Sequence, residues 1–194
     1  MTFILGLTGG IGMGKSTTAQ MFRDAGFPVW DADRAVHHLY APGGAAVGPV
    51  SDAFPAALHN GGIDRAALRA ELAADPGALT RLESIVHPLV GADRSAFIAA
   101  HSDAALIVLD IPLLFEGAGR LGLDGVAVVS VDAETQRARV MARPGMTAET
   151  FDMIVARQMA DADKRALADW VIPTDTVESA RRAVDQIIRQ VAHA

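Results

Sequence analysis

Short apolar runs alternate with amphipathic segments along the chain. The first run, residues 3–7, is closed by Thr8-Gly9-Gly10 and leads into a helical pattern that ends at Gly26, so the chain opens with a strand, a glycine-rich turn and a helix. Further apolar runs, each short enough for a buried parallel strand, lie at residues 28–30, 105–109, 126–131 and 170–172. This alternation predicts an α/β fold, with a five-stranded parallel sheet covered by helices on both faces.

A long insert separates the second and third predicted strands. Residues 35–103 are almost wholly helical in pattern, with Asp64 and Asp75 as expected helix caps and Pro76 in a first helical turn. His87-Pro88 is expected to break the helix that runs from Pro76, because proline removes a backbone donor and restricts the preceding residue. This dipeptide is either a kink or a substrate contact, and the local pattern does not choose between them.

A second insert, residues 141–164, follows the fourth strand, and Pro144-Gly145 is expected to end a helix there. The final helix repeats apolar residues on one face, and either Asp175 or Thr176 is suited to cap it. The core that remains outside the two inserts is predicted to comprise residues 1–34, 104–140 and 165–194.

Composition and charge exclude several classes of protein. No apolar run approaches the roughly 20 residues of a membrane-spanning helix, and the first residues lack the basic start of a signal peptide. The chain has no cysteine, which excludes disulfides and thiolate metal sites and fits the cytoplasm as the expected location. A net charge of −6 argues against general nucleic-acid binding. Only Lys15 and Lys164 are lysines among 17 basic residues, so a lysine at position 15 is notable.

The segment Gly9-Gly10-Ile11-Gly12-Met13-Gly14-Lys15-Ser16 matches the P-loop pattern GxxxxGK[ST]. Glycines let the backbone N–H groups wrap phosphates without obstruction, and the following helix adds the positive end of its dipole. Lys15 is suited to contact the β- and γ-phosphates, and the Ser16 hydroxyl to ligate Mg²⁺. The residues expected to bind ATP are Gly9, Gly10, Ile11, Gly12, Met13, Gly14, Lys15, Ser16 and Thr17.

Three acidic residues follow predicted strands, at the sheet edge where open α/β sheets bind ligands. Asp33 is a candidate to orient or deprotonate an acceptor hydroxyl; the alternative is that Asp31, Asp33 or both only cap the following helix. Asp110 closes the third strand, where a Walker-B carboxylate would hold a Mg²⁺-bound water. A plain strand-end turn is the alternative for Asp110.

Basic residues after the fourth strand are candidates to close over ATP. Arg139 and Arg143 are four apart and would share a helix face if the helix extends that far, and Arg157 follows the break. A planar guanidinium suits the charge of a transferring phosphoryl group, so Arg139 and Arg143 join Asp33 and Lys15 as catalytic candidates. A solvated surface is the alternative for each arginine. His37 and His38 are adjacent, cannot share a helix face and are expected at the surface.

The motifs taken together resemble the dephospho-coenzyme A kinase family over nearly the full length. The matching segments are Leu7-Thr8-Gly9-Gly10-Ile11-Gly12, Asp31-Ala32-Asp33, Gly62-Ile63-Asp64-Arg65 with Leu68, Leu82-Glu83 with His87-Pro88, Asp110-Ile111-Pro112-Leu113-Leu114-Phe115-Glu116, Arg157-Gln158 and Ala168-Asp169. The chain departs from the family at Phe54-Pro55, where Phe-Gly is usual, and at Pro173-Thr174-Asp175, where an asparagine is common near the adenine.

The resemblance implies transfer of the γ-phosphate of ATP to the ribose 3′-hydroxyl of dephospho-coenzyme A, with Asp33 at the acid–base position. The insert at 35–103 would hold the acceptor and the insert at 141–164 would be a lid that excludes water. The chain is expected to act as a monomer or a weak homo-oligomer. The motif positions expected to contact the acceptor are Asp33, His87, Leu113 and Arg157.

Other functions remain open at this point. Another small-metabolite or nucleoside monophosphate kinase would share the same core. A regulatory P-loop switch would need an NKxD guanine-reading motif, and the only asparagine, Asn60, is followed by Gly61. A binding domain with a vestigial P-loop would not depend on Lys15.

Overall fold

The computed structural model describes residues 2–117, 119–120 and 122–192 and contains a parallel sheet. The strands of the described residues are β1 Phe3–Thr8, β2 Val29–Asp31, β3 Leu58–His59, β4 Gly62–Ile63, β5 Leu106–Asp110, β6 Gly125–Ser130 and β7 Trp170–Pro173. The parallel sheet has five strands in the order β2-β5-β1-β6-β7. The five predicted strands are therefore confirmed, and β1 lies at the centre with β5 and β6 on either side.

Helices connect and cover these strands. They are α1 Lys15–Asp24, α2 Ala32–Tyr40, α3 Val47–Ala53, α4 Arg65–Ala74, α5 Ala78–Ala100, α6 Ala133–Met141, α7 Ala148–Ala156, α8 Asp161–Leu167 and α9 Val177–Val191. Thr176 caps α9 in a capping box with Ser179, while the Asp175 carboxylate accepts a hydrogen bond from the Ser179 hydroxyl. The expected break at Pro144-Gly145 is also confirmed, because α6 ends at Met141 and α7 begins at Ala148.

Alternating side chains of the sheet pack into two apolar layers. On one face, inward residues of β1, β5, β6 and β7 pack against α1 and α9, with Phe22 and Ile187 almost fully buried between them. On the other face, Val126 and Val128 of β6 pack against Leu114, Phe115 and nearby apolar side chains. Since β1 is buried on both faces, the loop that follows it is held in a fixed place at the carboxyl edge of the sheet.

The chain divides into two compact units. One comprises residues up to Trp30 together with those from His101 onward, and the other comprises Asp31–Ala100. The second unit has its own apolar core, in which Phe54, Val50 and Ala46 are fully or almost fully buried and Leu82 and Val86 of α5 pack against them. The insert is thus an independently packed helical body.

Two features of this second unit differ from expectation. The strands β3 and β4 form a short antiparallel hairpin that the helical pattern did not predict, although Asn60-Gly61, with φ angles of 50° and 76°, is the usual signal for such a turn. The predicted break at His87-Pro88 is wrong, because α5 continues through Pro88 from Ala78 to Ala100. A proline interrupts one backbone hydrogen bond, and the apolar face of α5 packed in the core holds the turns on either side.

Capping in the second unit follows the sequence closely. The Asp64 carboxylate accepts hydrogen bonds from the backbone N–H groups of Ala66 and Ala67 and caps α4, which lowers the pKa of Asp64. Asp75 accepts from the N–H of Gly77 immediately before α5. Pro76 lies just outside α5 rather than in its first turn, because the helix begins at Ala78.

Candidate active site

A loop of glycines joins the buried strand β1 to the start of α1. Gly14 is the N-cap of α1 with a left-handed φ of 88°, and no side chain among the described residues caps this helix. The first-turn N–H groups of a helix have no partners within it, so those of Lys15, Ser16 and Thr17 face the loop as donors. Ser16 and Thr17 are exposed. The positive end of α1 is therefore open to an anion.

Neighbouring elements require glycine at positions 12 and 14. Gly12 has a φ of 76°, and a Cβ there would lie 2.4 Å from Cγ2 of Val140 on α6. A Cβ on Gly14 would lie 3.2 Å from the side chain of Thr174, which donates a hydrogen bond to the Met13 carbonyl at 2.8 Å. The loop is thus shaped by packing from α6 and from the turn after β7.

Lys15 and Asp110 form an ion pair at the carboxyl edge of the sheet. Lys15 Nζ lies 2.5 Å from Oδ1 of Asp110, and the Asp110 side chain is only 3% exposed. The register of β1 against β5 produces this pairing, because Leu7 lies directly beside Asp110. The structure therefore brings together the predicted P-loop lysine and the predicted Walker-B carboxylate.

The loop after β5 carries a strained, exposed leucine. Leu113 has a φ of 55°, which is rare for a leucine, and its side chain is 44% exposed. The next residue, Leu114, is almost fully buried and fixes the loop on the sheet. Strain of this kind costs about 1–3 kcal/mol and persists where the surroundings impose it, often at functional sites.

Asp31 and Asp33 have different surroundings. The Asp31 side chain accepts a hydrogen bond from the Arg34 N–H at 2.9 Å and caps α2. Asp33 lies in the first turn of α2 and is exposed, and among the described residues its carboxylate has no capping role. Capping therefore accounts for Asp31 and leaves the Asp33 carboxylate available. Asp33 belongs to the unit Asp31–Ala100.

The predicted arginines are not equivalent. Arg139 on α6 donates from Nη2 to the Thr174 carbonyl at 2.6 Å and from Nη1 to the Thr174 hydroxyl at 3.2 Å. Arg143 is exposed beyond the end of α6, so the two arginines do not share a helix face, because Pro144 disfavours a helical continuation. Arg157 is exposed at the C-cap of α7. His87 is exposed on α5, in the second unit.

Several site residues were missed by sequence reasoning. Gln158 accepts a hydrogen bond from the backbone N–H of Ile11 in the P-loop, and Gln136 donates one to the backbone carbonyl of Ile11. Thr174 lies directly after β7, and its hydroxyl and carbonyl connect the P-loop to Arg139. The position of Gln158 beside Arg157 in a family motif was the signal that could have identified it.

The second lysine of the chain is buried in an ion pair. Lys164 on α8 is 1% exposed, and its Nζ lies 2.8 Å from Oε1 of Glu116, oriented as an ion pair rather than an aligned hydrogen bond. Burial raises the pKa of Glu116, but the Lys164 ammonium and the Met159 N–H outweigh it, so that this pKa lies below its ordinary value. Glu116 therefore stabilises the fold above the ordinary glutamate pKa, and this contribution is lost as the pH falls through the depressed pKa.

The second unit contains a pocket of about 390 Å³. Its apolar lining includes Tyr40, Pro42 and Ile63. Its polar lining includes Arg65, two histidines, Asn60 and Asp64, whose carboxylate caps α4. The Arg65 guanidinium carbon lies 5.9 Å from the centre of the Tyr40 ring. His37 and His59 are the histidines that line it. The pocket combines apolar contacts with groups that bind anions.

The described residues contain no cluster of three or more His, Cys, Asp or Glu side chains able to hold a metal ion. Mg²⁺ commonly binds through one or two carboxylates together with nucleotide phosphates and water. Among the residues that the structure describes, no helix combines the length and apolar character needed to cross a bilayer.

The chain is similar over its length to proteins of one family. The family model for dephospho-CoA kinase matches residues 3–179. A dephospho-CoA kinase from Jannaschia sp. is 53% identical over 191 residues, which cover 98% of both chains. Another from Cereibacter sphaeroides is 54% identical over 195 residues, covering 99% of this chain and 98% of the relative. A crystal structure of a Thermus thermophilus protein superimposes with a TM-score of 0.86 at 32% identity, covering 97% of both chains.

Proposed function

We infer from the P-loop geometry that this chain, which belongs to the dephospho-CoA kinase family, performs the reaction of that family with the residues described above. The activity is an ATP-dependent phosphorylation of the ribose 3′-hydroxyl of dephospho-coenzyme A, giving coenzyme A and ADP. The observation that carries this function is the Lys15–Asp110 pair beside the uncapped start of α1. The absence of cysteine fits a reducing compartment, and we propose the cytoplasm as the location.

The chemistry can be assigned to individual groups. The acceptor hydroxyl oxygen attacks the γ-phosphorus of ATP, the bond from that phosphorus to the bridging oxygen breaks, and ADP leaves with the electron pair. Asp33 is proposed to orient the hydroxyl and take its proton. The N–H groups at the start of α1 and the Lys15 ammonium are proposed to stabilise the charge on the phosphates. Phosphate binding would draw Lys15 away from Asp110.

Mg²⁺ is proposed as the metal that accompanies ATP. The exposed Ser16 hydroxyl would be a direct ligand, and Asp110 would hold a metal-bound water once Lys15 turns to the phosphates. This donor set fits Mg²⁺, which commonly binds through few protein ligands together with phosphates and water. The ion would offset the charge of the β- and γ-phosphates. The remaining work of positioning and proton transfer belongs to the side chains.

Purified protein with ATP and dephospho-coenzyme A is expected to produce coenzyme A and ADP in equal amounts. The measurement is coupled ADP release with separate detection of coenzyme A, run against AMP and CMP as alternative acceptors. Preference for a nucleoside monophosphate would favour the rival kinase function. A protein that binds both substrates and makes no product would contradict the assignment.

The roles of the two inserts are also proposed here. The unit Asp31–Ala100 is assigned to the acceptor, supported by its separate core and its pocket. The segment 141–164 is assigned to the lid, supported by the helix break at Pro144-Gly145 and by exposed Arg143 and Arg157. Closing a lid excludes water, which would otherwise compete for the phosphoryl group. Leu113 and His87 remain proposed acceptor contacts.

Arg65→Ala is expected to raise the KM for dephospho-coenzyme A by roughly 10- to 100-fold with little change in kcat. The pocket in the second unit has an apolar floor and cationic donors, which suit the diphosphate of the acceptor, and a hydrogen bond to a charged group contributes about 1.5–3 kcal/mol. The measurement is initial-rate kinetics at saturating ATP. Adenosine, which has the 3′-hydroxyl and no diphosphate, is the comparison acceptor.

Arg69→Ala is the matched control for this pocket. Arg69 lies one turn further along α4, donates to the Arg65 carbonyl and does not line the pocket. Its loss is expected to leave the KM unchanged. If Arg65→Ala does not alter the KM, or raises it equally for adenosine, the diphosphate of the acceptor does not bind in this pocket.

A further inference from the structure

Two glutamine side chains hydrogen bond to the backbone of Ile11 in the P-loop, one to its N–H and one to its carbonyl. Gln158 Oε1 accepts a hydrogen bond from the Ile11 N–H at 3.1 Å, and Gln136 Nε2 donates to the Ile11 carbonyl at 2.9 Å. A Cβ on neighbouring Gly10 would lie 3.2 Å from Gln158 Oε1 and 3.5 Å from Gln136 Nε2. Both amides therefore lie directly against this turn. Each residue carries one backbone N–H donor and one backbone C=O acceptor, and at Ile11 both are hydrogen bonded to these glutamines.

Gln136 lies just before the proposed lid, residues 141–164, and Gln158 lies within the lid near its end. Gln136 is on α6, whose Asp132 cap fixes the start of the helix, and Gln158 follows α7 directly. The chain between the two glutamines carries the exposed Arg143 and Arg157. The two segments that lead into and out of the lid, which we call its legs, therefore both contact the backbone of one P-loop residue, Ile11.

The second leg makes a further contact at Met159, the residue after Gln158. The Met159 N–H donates to Oε1 of Glu116 at 2.8 Å, and the buried Lys164 ammonium lies against the same oxygen. Glu116 lies in the segment that follows β5, and β5 ends at Asp110, the partner of Lys15. Residues 158 and 159 are thus hydrogen bonded to the P-loop and to the segment after β5, respectively. By contrast, the turn at Gly145, where φ is 74°, is exposed, and a Cβ there would meet nothing within 4 Å.

We propose that the backbone N–H and C=O of Ile11 are the shared anchor of both lid legs, and that Gln158 is a positioning residue that sets Arg157 against the transferring phosphoryl group. This inference rests on the proposed kinase function. Arg157 directly precedes Gln158 in the chain, so the Gln158 hydrogen bond limits where the Arg157 guanidinium can reach. A leg that loses this bond closes less completely and admits water to the phosphates.

Gln158→Ala tests the anchor through the coupling of the reaction. The wild type is expected to form about one ADP per coenzyme A, because a closed lid excludes water. The variant is expected to turn over roughly three- to tenfold more slowly and to form more than one ADP per coenzyme A, the excess coming from ATP hydrolysis. A residue with only a structural role would lower the amount of active protein and leave this ratio unchanged.

Two glutamate variants separate the hydrogen bonds from general packing. Gln158→Glu keeps an oxygen for the Ile11 N–H, so the ADP-to-coenzyme A ratio should stay near that of the wild type, while the added negative charge near ATP raises its KM. Gln136→Glu places a carboxylate oxygen against the Ile11 carbonyl oxygen and should raise the ratio. Gln20→Ala is the control, because the Gln20 amide on α1 donates a hydrogen bond to Asp24 and is exposed.

Thermal denaturation of each variant establishes that it is folded before the ratio is compared. The anchor is supported if Gln158→Ala and Gln136→Glu raise the ratio while Gln158→Glu and Gln20→Ala do not. It is overturned if folded Gln158→Ala couples as tightly as the wild type, or if Gln158→Glu uncouples the reaction to the same degree. If the wild type makes no coenzyme A, the proposed kinase function itself is wrong. If the wild type makes coenzyme A but folded Gln158→Ala keeps the wild-type ratio, only the anchor is wrong.

Discussion

Asp33→Asn is expected to lower kcat by about 10²–10⁴-fold while leaving the Kd for ATP unchanged. The change removes the carboxylate that would accept the hydroxyl proton and keeps the size of the side chain. Asp33 is exposed in the first turn of α2 and does not cap it, so the fold should tolerate the amide. Coupled ADP release gives kcat, and calorimetric titration gives the affinity for ATP.

Asp31→Asn is the matched control, two residues away and identical in chemistry. Asn caps helices as well as Asp, so the bond from the Arg34 N–H to side chain 31 should survive. Turnover close to that of the wild type is expected. Equal losses for the two variants would indicate that negative charge in this segment matters rather than proton transfer by Asp33, and an active Asp33→Asn would exclude Asp33 as the base.

Lys15→Ala is the second change with a large expected effect, a fall in turnover of about 10²–10³-fold. The ammonium is a preorganised charge next to the uncapped start of α1, where the phosphates of ATP are proposed to bind. Its removal also leaves the buried Asp110 carboxylate without this cation. The free energy of unfolding is therefore expected to fall by up to about 3–5 kcal/mol, measured by urea denaturation.

A double variant separates these two effects of losing Lys15. Adding Asp110→Asn to Lys15→Ala removes the buried charge that has lost the Lys15 ammonium, so stability should return in large part while turnover stays low. A vestigial P-loop predicts the opposite pattern, with turnover indifferent to Lys15. Recovery of activity together with stability would attribute the loss to folding and would contradict a role for Lys15 at the phosphates.

The sheet was predictable largely because its central strands are buried on both faces. Continuous apolar runs such as residues 126–131 leave little choice of structure, and each of the five runs became a strand within one or two residues of its predicted ends. The helix around Pro88 was not predictable locally, because its continuation depends on a core formed by residues distant in sequence. The β3–β4 hairpin was missed since two-residue strands carry almost no periodic signal.

The candidate site divides in a similar way. The P-loop and Asp110 follow from motif spacing, because each lies at the end of a recognisable strand. The contacts of Gln136, Gln158 and Thr174 with the loop depend on how α6 and the turn after β7 pack, which no short pattern specifies. The hydrogen bond from Arg139 to the Thr174 carbonyl likewise could not be predicted from the sequence, because it joins residues 35 positions apart.

The scarcity of lysine has a practical consequence for chemical labelling. Both lysines pair with the loop 110–116, but Lys164 is 1% exposed whereas Lys15 remains 18% exposed. Reagents that acylate amines therefore meet a single reachable lysine side chain, and it lies at the proposed nucleotide site. The chain carries a built-in reporter whose protection by ATP can be followed by mass spectrometry without introducing a foreign label.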